Sequence, residues 1–329
     1  MRKYLKYFFA FVALVLAVVF LYFVLRTFSW QEAYGSIKIL NFGTIAIFVG
    51  CVLAVGVIKA YRFYIILKSV GLKTSLWKTI IVFISSQAFT PLPGGEVVRI
   101  ILFKNKLHLE TTRVIAPVYL QAFFELWTAT VLALLTILFI KTSFGIWFGI
   151  GLSLMLIVIS VFILIPGKLQ NLLLFLKSKG LKYFWVNKLV EILKVNEEFI
   201  SKTSGSVRWR LWSIVIGLGL ASHITGGFLV WYIAKVQGVN ITIVQSIFTA
   251  VAAVLIQIIL SFIPGGLGVT EGGLIGILTT FGIPWNKSVI ITLLYRILTL
   301  PVLIIISLLF LLFLYIPNLY RKKPVLIQS

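Results

Sequence analysis

A chain of 329 residues with 60% hydrophobic side chains and long uncharged stretches is too apolar for two soluble domains and is typical of an integral membrane protein. Its net charge of +22 does not lie in basic runs interleaved with polar sequence, so lipid headgroups are the expected partner and nucleic acid is not. The single cysteine, Cys51, excludes a disulfide framework and a thiolate metal site. All eight acidic residues are glutamates without visible clustering, so we expect neither a metal nor another cofactor.

About six stretches are long enough to cross a bilayer, at about 20 apolar residues per crossing. They lie near residues 7–25, 41–67, 113–140, 144–165, 209–234 and 287–315. The first has the basic flank of a signal peptide, but it lacks a small-residue cleavage site, so we interpret it as a retained helix. The sequence therefore predicts an all-α integral membrane protein in which residues 1–329 form a single transmembrane domain.

Two further apolar segments are interrupted by Pro-Gly motifs, one within Ser75–Phe103 and the other within Thr242–Thr280. The helix that follows each break is too short to cross alone, which predicts two re-entrant helical hairpins. The alternative is a kink that lets small residues pack closely. A half-helix that restarts near Val269 would direct free N–H groups towards a cavity suited to an anion. The residues of the breaks that enter the candidate substrate site are Pro93, Gly94, Gly95, Pro264, Gly265, Gly266 and Gly268.

The distribution of basic residues predicts the orientation. Of the 30 Lys and Arg residues, 22 fall on the side of both termini, in segments 1–6, 68–113, 168–210 and 321–323. Because positive residues accumulate on the cytoplasmic side, we expect a multi-pass protein of the cell membrane with both termini in the cytoplasm. The segment at about 168–208 mixes Lys and Glu with apolar residues at helical spacing and is predicted to be an amphipathic connector.

An internal repeat is indicated by a thin sequence match. The segment KSVGLKTSLWKTII, from Lys68, aligns with KVQGVNITIVQSIF, from Lys235, and each leads to a Pro-Gly-Gly motif. With the crossings above, the two units, at about 41–140 and 209–315, have opposite orientations in the membrane. This inverted-topology repeat is the plan of many secondary transporters, whose binding sites lie between broken helices.

Two carboxylates fall in the first turn of the predicted half-helices, at Glu96 and Glu271. A carboxylate there complements the helix dipole. It also offers a contact for a headgroup amine, or for a proton or cation that drives transport. The sequence leaves both readings open, and both residues enter the candidate substrate site together with Thr270.

Arg296 lies about ten residues into the last crossing, roughly 15 Å deep at 1.5 Å per residue and beyond easy snorkelling. An ionisable group at that depth is a functional hypothesis by default, as a phosphate contact or as a charge pair that lines a cavity, against a purely structural pair. Glu125, about twelve residues into its own crossing at the same rise per residue, is the expected partner. We include both residues in the candidate substrate site.

Four other ionisable side chains lie in apolar segments. Lys59 and Arg62 share a helical face near the cytoplasmic end of their crossing, where snorkelling is expected. Arg99 faces either a headgroup or the interface, and it enters the candidate substrate site. His223, near the middle of its crossing, is more typical of hydrogen-bonded packing than of a proton relay.

The pair of motifs PLPGGEVVR (Pro91–Arg99) and IPGGLGVTEGG (Ile263–Gly273) resembles the flippase-like transmembrane region of lysylphosphatidylglycerol synthases. Stand-alone relatives consist of that region only, and the resemblance covers residues from about 60 to 314. It implies movement of a phospholipid, an aminoacylated phospholipid or a polyprenyl-linked lipid across the bilayer. It also implies roles for the motif glycines and for Glu96, Arg99 and Glu271.

Two features depart from the family pattern. We expect no acyltransferase-like soluble domain after Ser329, so transfer of lysine from a tRNA is not implied. A Glu-Arg pair that often opens the span after the first hairpin is replaced here by Gln121-Ala122, which leaves the role of that pair without its usual residues.

The sequence hypothesis is a lipid transporter, not an enzyme, that binds a lipid phosphate between two re-entrant helix N-termini with Arg296 nearby. The alternative from another class is a membrane-embedded transferase that acts on polyprenyl-phosphate or phospholipid substrates. A third is a scaffold or partner subunit without transport activity. The identity of the lipid, the energy source and the oligomeric state are not determined by the sequence.

Overall fold

The computed structural model describes residues 40–91, 95–140, 143–164, 166–178, 190, 193, 197, 205–259, 266 and 268–320. Within these residues the regular structure is helical and no strand is present, which confirms the predicted all-α class. The helices are α1 (Phe42–Ser69), α2 (Leu76–Ser86), α3 (Gly95–Leu107), α4 (Thr111–Ile137), α5 (Ser143–Leu164), α6 (Pro166–Ser178), α7 (Gly205–Val236), α8 (Ile243–Ile259), α9 (Val269–Thr280) and α10 (Trp285–Tyr320), with a 3-10 turn at Gln87–Phe89 after α2.

Four of the described helices are long and apolar enough to cross a membrane. They are the segments Phe42–Ser69, Arg113–Ile137, Trp209–Val236 and Trp285–Tyr315, and each coincides with a predicted crossing. The crossing predicted near 144–165 is a 22-residue helix, α5. The one predicted near 7–25 lies outside the described residues. The protein is therefore a membrane protein, and the count of about six crossings stays a prediction.

The predicted breaks separate pairs of short helices. The first lies between α2, of 11 residues, and α3, of 13 residues; the second lies between α8, of 17 residues, and α9, of 12 residues. At 1.5 Å per residue each helix is shorter than the hydrocarbon core of about 30 Å. In each pair the two helices pack against each other, so the chain folds back at the break instead of continuing as one kinked rod. Re-entry into the bilayer stays a prediction.

The two aligned segments of the sequence have the same local backbone. α1 and α7 each end just before a glycine in the left-handed region, Gly71 (φ 80°) and Gly238 (φ 69°). Beyond each glycine an amide donates back to the helix, and α2 and α8 then begin at the same distance from their glycine. These bonds run from Leu72 N to Leu67 O at 3.1 Å and from Val239 N to Ala234 O at 2.8 Å. The thin sequence match therefore reflects a shared turn.

Helix packing also has a repeated pattern. If α1–α4 are exchanged with α7–α10, the contacts within one group map onto contacts within the other. The contacts between the groups map onto one another as well: α2 packs on α10 as α8 packs on α4, and α1 packs on α10 as α7 packs on α4. α1 and α7 pack on each other. The two groups are called the first and second halves below.

Aromatic packing holds the first pair of short helices against α1. The Phe63 ring of α1 lies 5.4 Å from the Phe83 ring of α2 and 5.0 Å from the Phe103 ring of α3, measured between centroids. All three side chains are buried. Contacts at these spacings add about 0.5–1.5 kcal/mol per pair beyond area burial, so α2 and α3 are fixed relative to a long helix.

Candidate functional site

The second break is shaped by glycines. Gly266 (φ 65°) and Gly268 (φ 82°) adopt left-handed backbone conformations that other residues rarely adopt, so the chain turns sharply before α9. α9 then begins at Val269, as predicted. The Gly268 N–H donates to Glu271 Oε2 at 2.7 Å. Glu271 therefore caps the start of α9, in the position where a carboxylate complements the helix dipole.

Glu271 also pairs with Arg296. The Arg296 Nε lies 2.5 Å from Glu271 Oε1, and both side chains are 12% exposed. The predicted pairing of Arg296 with Glu125 is wrong, because α9 and α10 pack directly against each other and bring Glu271 to the guanidinium first. One carboxylate thus caps a helix and neutralises a deep arginine.

The first turn of α9 also contains a buried hydroxyl. Thr270 is 1% exposed, and within the described part of the chain its Oγ1 has no hydrogen-bond partner. Gly266 lies directly against this oxygen, where any side chain would collide with it. A buried unsatisfied polar group costs about 1–3 kcal/mol, and such a group in a native fold is a place to look for a ligand or a bound water.

The first break is built differently. Gly95 opens α3 against the Phe89 carbonyl, which leaves no space for a side chain. Glu96 is half exposed and pairs with Arg99 on its own helix at 2.6 Å. Arg99 is 5% exposed; its Nε donates to Ser86 Oγ at 3.1 Å, so it ties α3 to α2. The prediction for Arg99 is contact with a headgroup or with the membrane interface. It does not include this contact, which joins the two short helices.

A third set of charges lies between α1 and α4. The Arg62 guanidinium is ion-paired with Glu125 through Nη2, and its Nε donates to Gln121 Oε1 at 3.1 Å. The Lys59 Nζ lies 2.6 Å from the other Glu125 oxygen. Arg62 is 0% exposed, so its predicted snorkelling is wrong: a carboxylate on the facing helix satisfies the guanidinium inside the bundle.

α7 completes this set, which is called the three-helix cluster below: Lys59, Arg62, Gln121, Glu125, Thr128 and His223. His223 Nε2 and Thr128 Oγ1 lie 3.2 Å apart, and both side chains are buried. This contact matches the hydrogen-bonded packing expected of the histidine. Sequence reasoning missed Thr128, which is one turn from Glu125. It also missed Gly219, one turn before His223, where a Cβ would lie 2.8 Å from Arg62 Nη1.

Comparison with known families identifies the chain. Its sequence matches the family described as Lysylphosphatidylglycerol synthase TM region over residues 10–307. The chain belongs to this family. The match confirms the resemblance drawn from the two Pro-Gly motifs and relates the protein to lipid handling in a membrane. A search of curated proteins found no match.

In this member of the lysylphosphatidylglycerol synthase TM-region family, the predicted site residues fall into four groups. One group lies outside the described residues: Pro93, Gly94, Pro264 and Gly265. The others lie at the first break (Gly95, Glu96, Arg99), at the second break (Gly266, Gly268, Thr270, Glu271, Arg296) and in the three-helix cluster (Glu125). Among the described residues no group of three or more His, Cys, Asp or Glu side chains is placed to hold a metal ion. A shared cavity between the two breaks stays a prediction.

Proposed function

We propose that the protein is a flippase-like transporter that moves an anionic or aminoacylated phospholipid, or a polyprenyl-phosphate-linked lipid, across the cell membrane. Family membership and four membrane-length helices support a role with lipids inside a bilayer. The observation that carries the proposal is the buried Glu271–Arg296 pair at the N-terminus of a broken helix.

The chemistry of this pair fits a lipid headgroup. Arg296 offers planar donors that match phosphate oxygens, and the α9 N-terminus adds free N–H groups and a favourable dipole. Arg296 Nε donates to Glu271 Oε1 at 2.5 Å, and a lipid phosphate is proposed to take the place of this carboxylate when it binds. An aminoacylated headgroup carries an ammonium as well as a phosphate, so it would bind Glu271 and Arg296 at once. The acyl chains would stay in the bilayer.

The proposed transport cycle uses the two halves. The matched turns after α1 and α7 and the exchangeable packing of the halves support an inverted repeat. In such a repeat, rocking of one half against the other exposes a central site alternately to each side. The two breaks are proposed to be re-entrant from opposite faces, with both chain termini in the cytoplasm.

Reconstitution tests the proposal directly. The purified protein in vesicles with fluorescent phosphatidylglycerol or lysyl-phosphatidylglycerol is expected to move the lipid between leaflets without chemical change. Arg296→Gln should slow this movement by about a hundredfold, since losing one buried charge contact costs about 3 kcal/mol. Arg113→Gln is the matched control, because Arg113 forms an exposed ion pair with Glu110.

The same assay separates the competing functions. A chemically altered lipid would identify a transferase and overturn the transport proposal. Neither movement nor product would indicate a scaffold. Equal rates for the Arg296 and Arg113 variants would remove the Glu271–Arg296 pair from the mechanism.

A further inference from the structure

The three-helix cluster carries more positive than negative charge. Lys59 and Arg62 face the single carboxylate of Glu125, so the ion-paired part has a surplus of one positive charge. Glu125 lies about halfway along α4, near the centre of a membrane-length helix. A charge at such depth is expensive unless it has a counter-ion. The surplus therefore favours an additional anion.

The geometry leaves a donor for that anion. Arg62 is 0% exposed, two of its nitrogens bind Gln121 and Glu125, and within the described residues its Nη1 has no hydrogen-bond partner. A buried guanidinium N–H without an acceptor is costly. The Lys59 side chain keeps 27% of its surface exposed, so the cluster can be reached from outside the helix bundle.

The second half shows that packing alone does not require these charges. The shared turns place Gly226 and Leu229 of α7 at the positions of Lys59 and Arg62 in α1. Counting from the starts of α4 and α10 places Tyr295 and Thr299 at the positions of Gln121 and Glu125. α7 and α10 pack on each other with no ionisable group at the two helix positions that carry Lys59 and Arg62 in the first half. The same helix pairing thus forms without the cations.

We propose that Lys59 and Arg62 form a second anion site, separate from the Glu271–Arg296 pair, for a phosphate group. The phosphate accepts from Arg62 Nη1, Lys59 supplies the surplus positive charge from the exposed side, and Glu125 holds the two cations in place when the site is empty. The phosphate belongs either to a lipid headgroup or to free inorganic phosphate. The inference does not depend on the transport proposal.

A charge series tests this site in the purified full-length chain in neutral detergent. Binding of dihexanoyl-phosphatidylglycerol and of inorganic phosphate is measured by isothermal titration calorimetry. Lys59→Gln leaves a neutral Arg62–Glu125 pair and removes the surplus charge. Lys59→Gln combined with Glu125→Gln restores it. Lys78→Gln removes one charge from an exposed position on α2 and is the matched control.

The expected results follow the net charge of the cluster. Lys59→Gln weakens binding about tenfold or more, or removes one of two sites, because a unit charge at contact distance is worth at least that factor. In the double variant, the dissociation constant returns to within about threefold of that of the unaltered protein. Lys78→Gln does not change the dissociation constant. Binding of the lipid alone assigns the site to a headgroup, whereas equal effects with inorganic phosphate assign it to a free anion.

Two outcomes overturn the proposal. In one, all variants bind with the affinity and stoichiometry of the unaltered protein. In the other, the double variant stays as weak as Lys59→Gln although its melting temperature shows that it is folded. Transport that depends on Arg296 would survive either outcome, so this failure is distinguishable from failure of the proposed function.

Discussion

The two halves of the protein share their helix packing but place their ion pairs at different positions. Counting from the helix start, Arg296 is the twelfth residue of α10, and Ala122 is the twelfth residue of α4. The turns before these helices also correspond, because His108 (φ 54°) and Gly282 (φ 81°) have positive φ three residues before each start. The first half therefore lacks the deep arginine that pairs with the broken helix of the second half.

The carboxylates at the two breaks differ in the same way. Glu271 is 12% exposed and its partner comes from the next long helix, whereas Glu96 is 50% exposed and pairs within α3. A buried pair leaves an uncompensated charge when it is broken, and an exposed pair contributes little. The repeated scaffold thus positions the helices, while the charges that distinguish the halves lie at single positions.

The largest effect is expected from breaking the buried pair of the second half. Arg296→Gln should lower the free energy of unfolding by about 3–5 kcal/mol, because it leaves the Glu271 carboxylate buried without its partner. The double variant Arg296→Gln with Glu271→Gln should regain most of this stability and still fail to transport lipid. Denaturation in detergent and the vesicle assay measure the two effects. Recovery of transport in the double variant would contradict a binding role for the pair.

An intermediate effect is expected at the contact between α7 and the three-helix cluster. A Cβ at Gly219 would lie 2.8 Å from Arg62 Nη1 and 2.7 Å from the Thr128 methyl group. Gly219→Ala should therefore cost about 1–3 kcal/mol by overpacking. Gly217→Ala is the control, since no described residue lies within 4 Å of its Cβ position, and it should be neutral or stabilising. Equal melting temperatures for the two variants would show that α7 does not pack tightly here.

A smaller effect of opposite sign is expected at the buried hydroxyl of the second break. Thr270→Val removes a buried hydroxyl that has no partner among the described residues, so it should raise the stability of the lipid-free protein by about 1 kcal/mol. The same change should reduce the stabilisation that added lipid provides. Melting temperatures with and without dihexanoyl-phosphatidylglycerol test both parts. A loss of stability without lipid would mean that the hydroxyl is already hydrogen-bonded.

The smallest effect is expected at the first break. Glu96→Gln breaks a half-exposed pair, so it should change the free energy of unfolding by less than about 1 kcal/mol. Comparing the free energy of unfolding of Glu96→Gln with that of Glu271→Gln tests the difference between the halves directly. A Glu96 variant as unstable as the Glu271 variant would remove that difference.

Much of the fold and part of the site could be predicted from the sequence. The Pro-Gly breaks between short apolar pieces, the start of α9 at Val269 and the first-turn position of Glu271 all follow from neighbouring residues. The partners of the charges did not follow. The sequence predicts Glu125 as the partner of Arg296 and snorkelling for Arg62, and both predictions are wrong because nothing local indicates which helix will face a given side chain.

The sequence by itself determined that the protein is helical, lies in a membrane, breaks two of its apolar segments and belongs to this family. These properties depend on hydrophobic length and on backbone preferences that adjacent residues express. The tertiary structure alone decided that Glu271 pairs with Arg296 and that Arg62 is buried against Glu125. Those partners are 25 and 63 residues apart in the chain, and only the packing of α9 on α10 and of α1 on α4 brings them together.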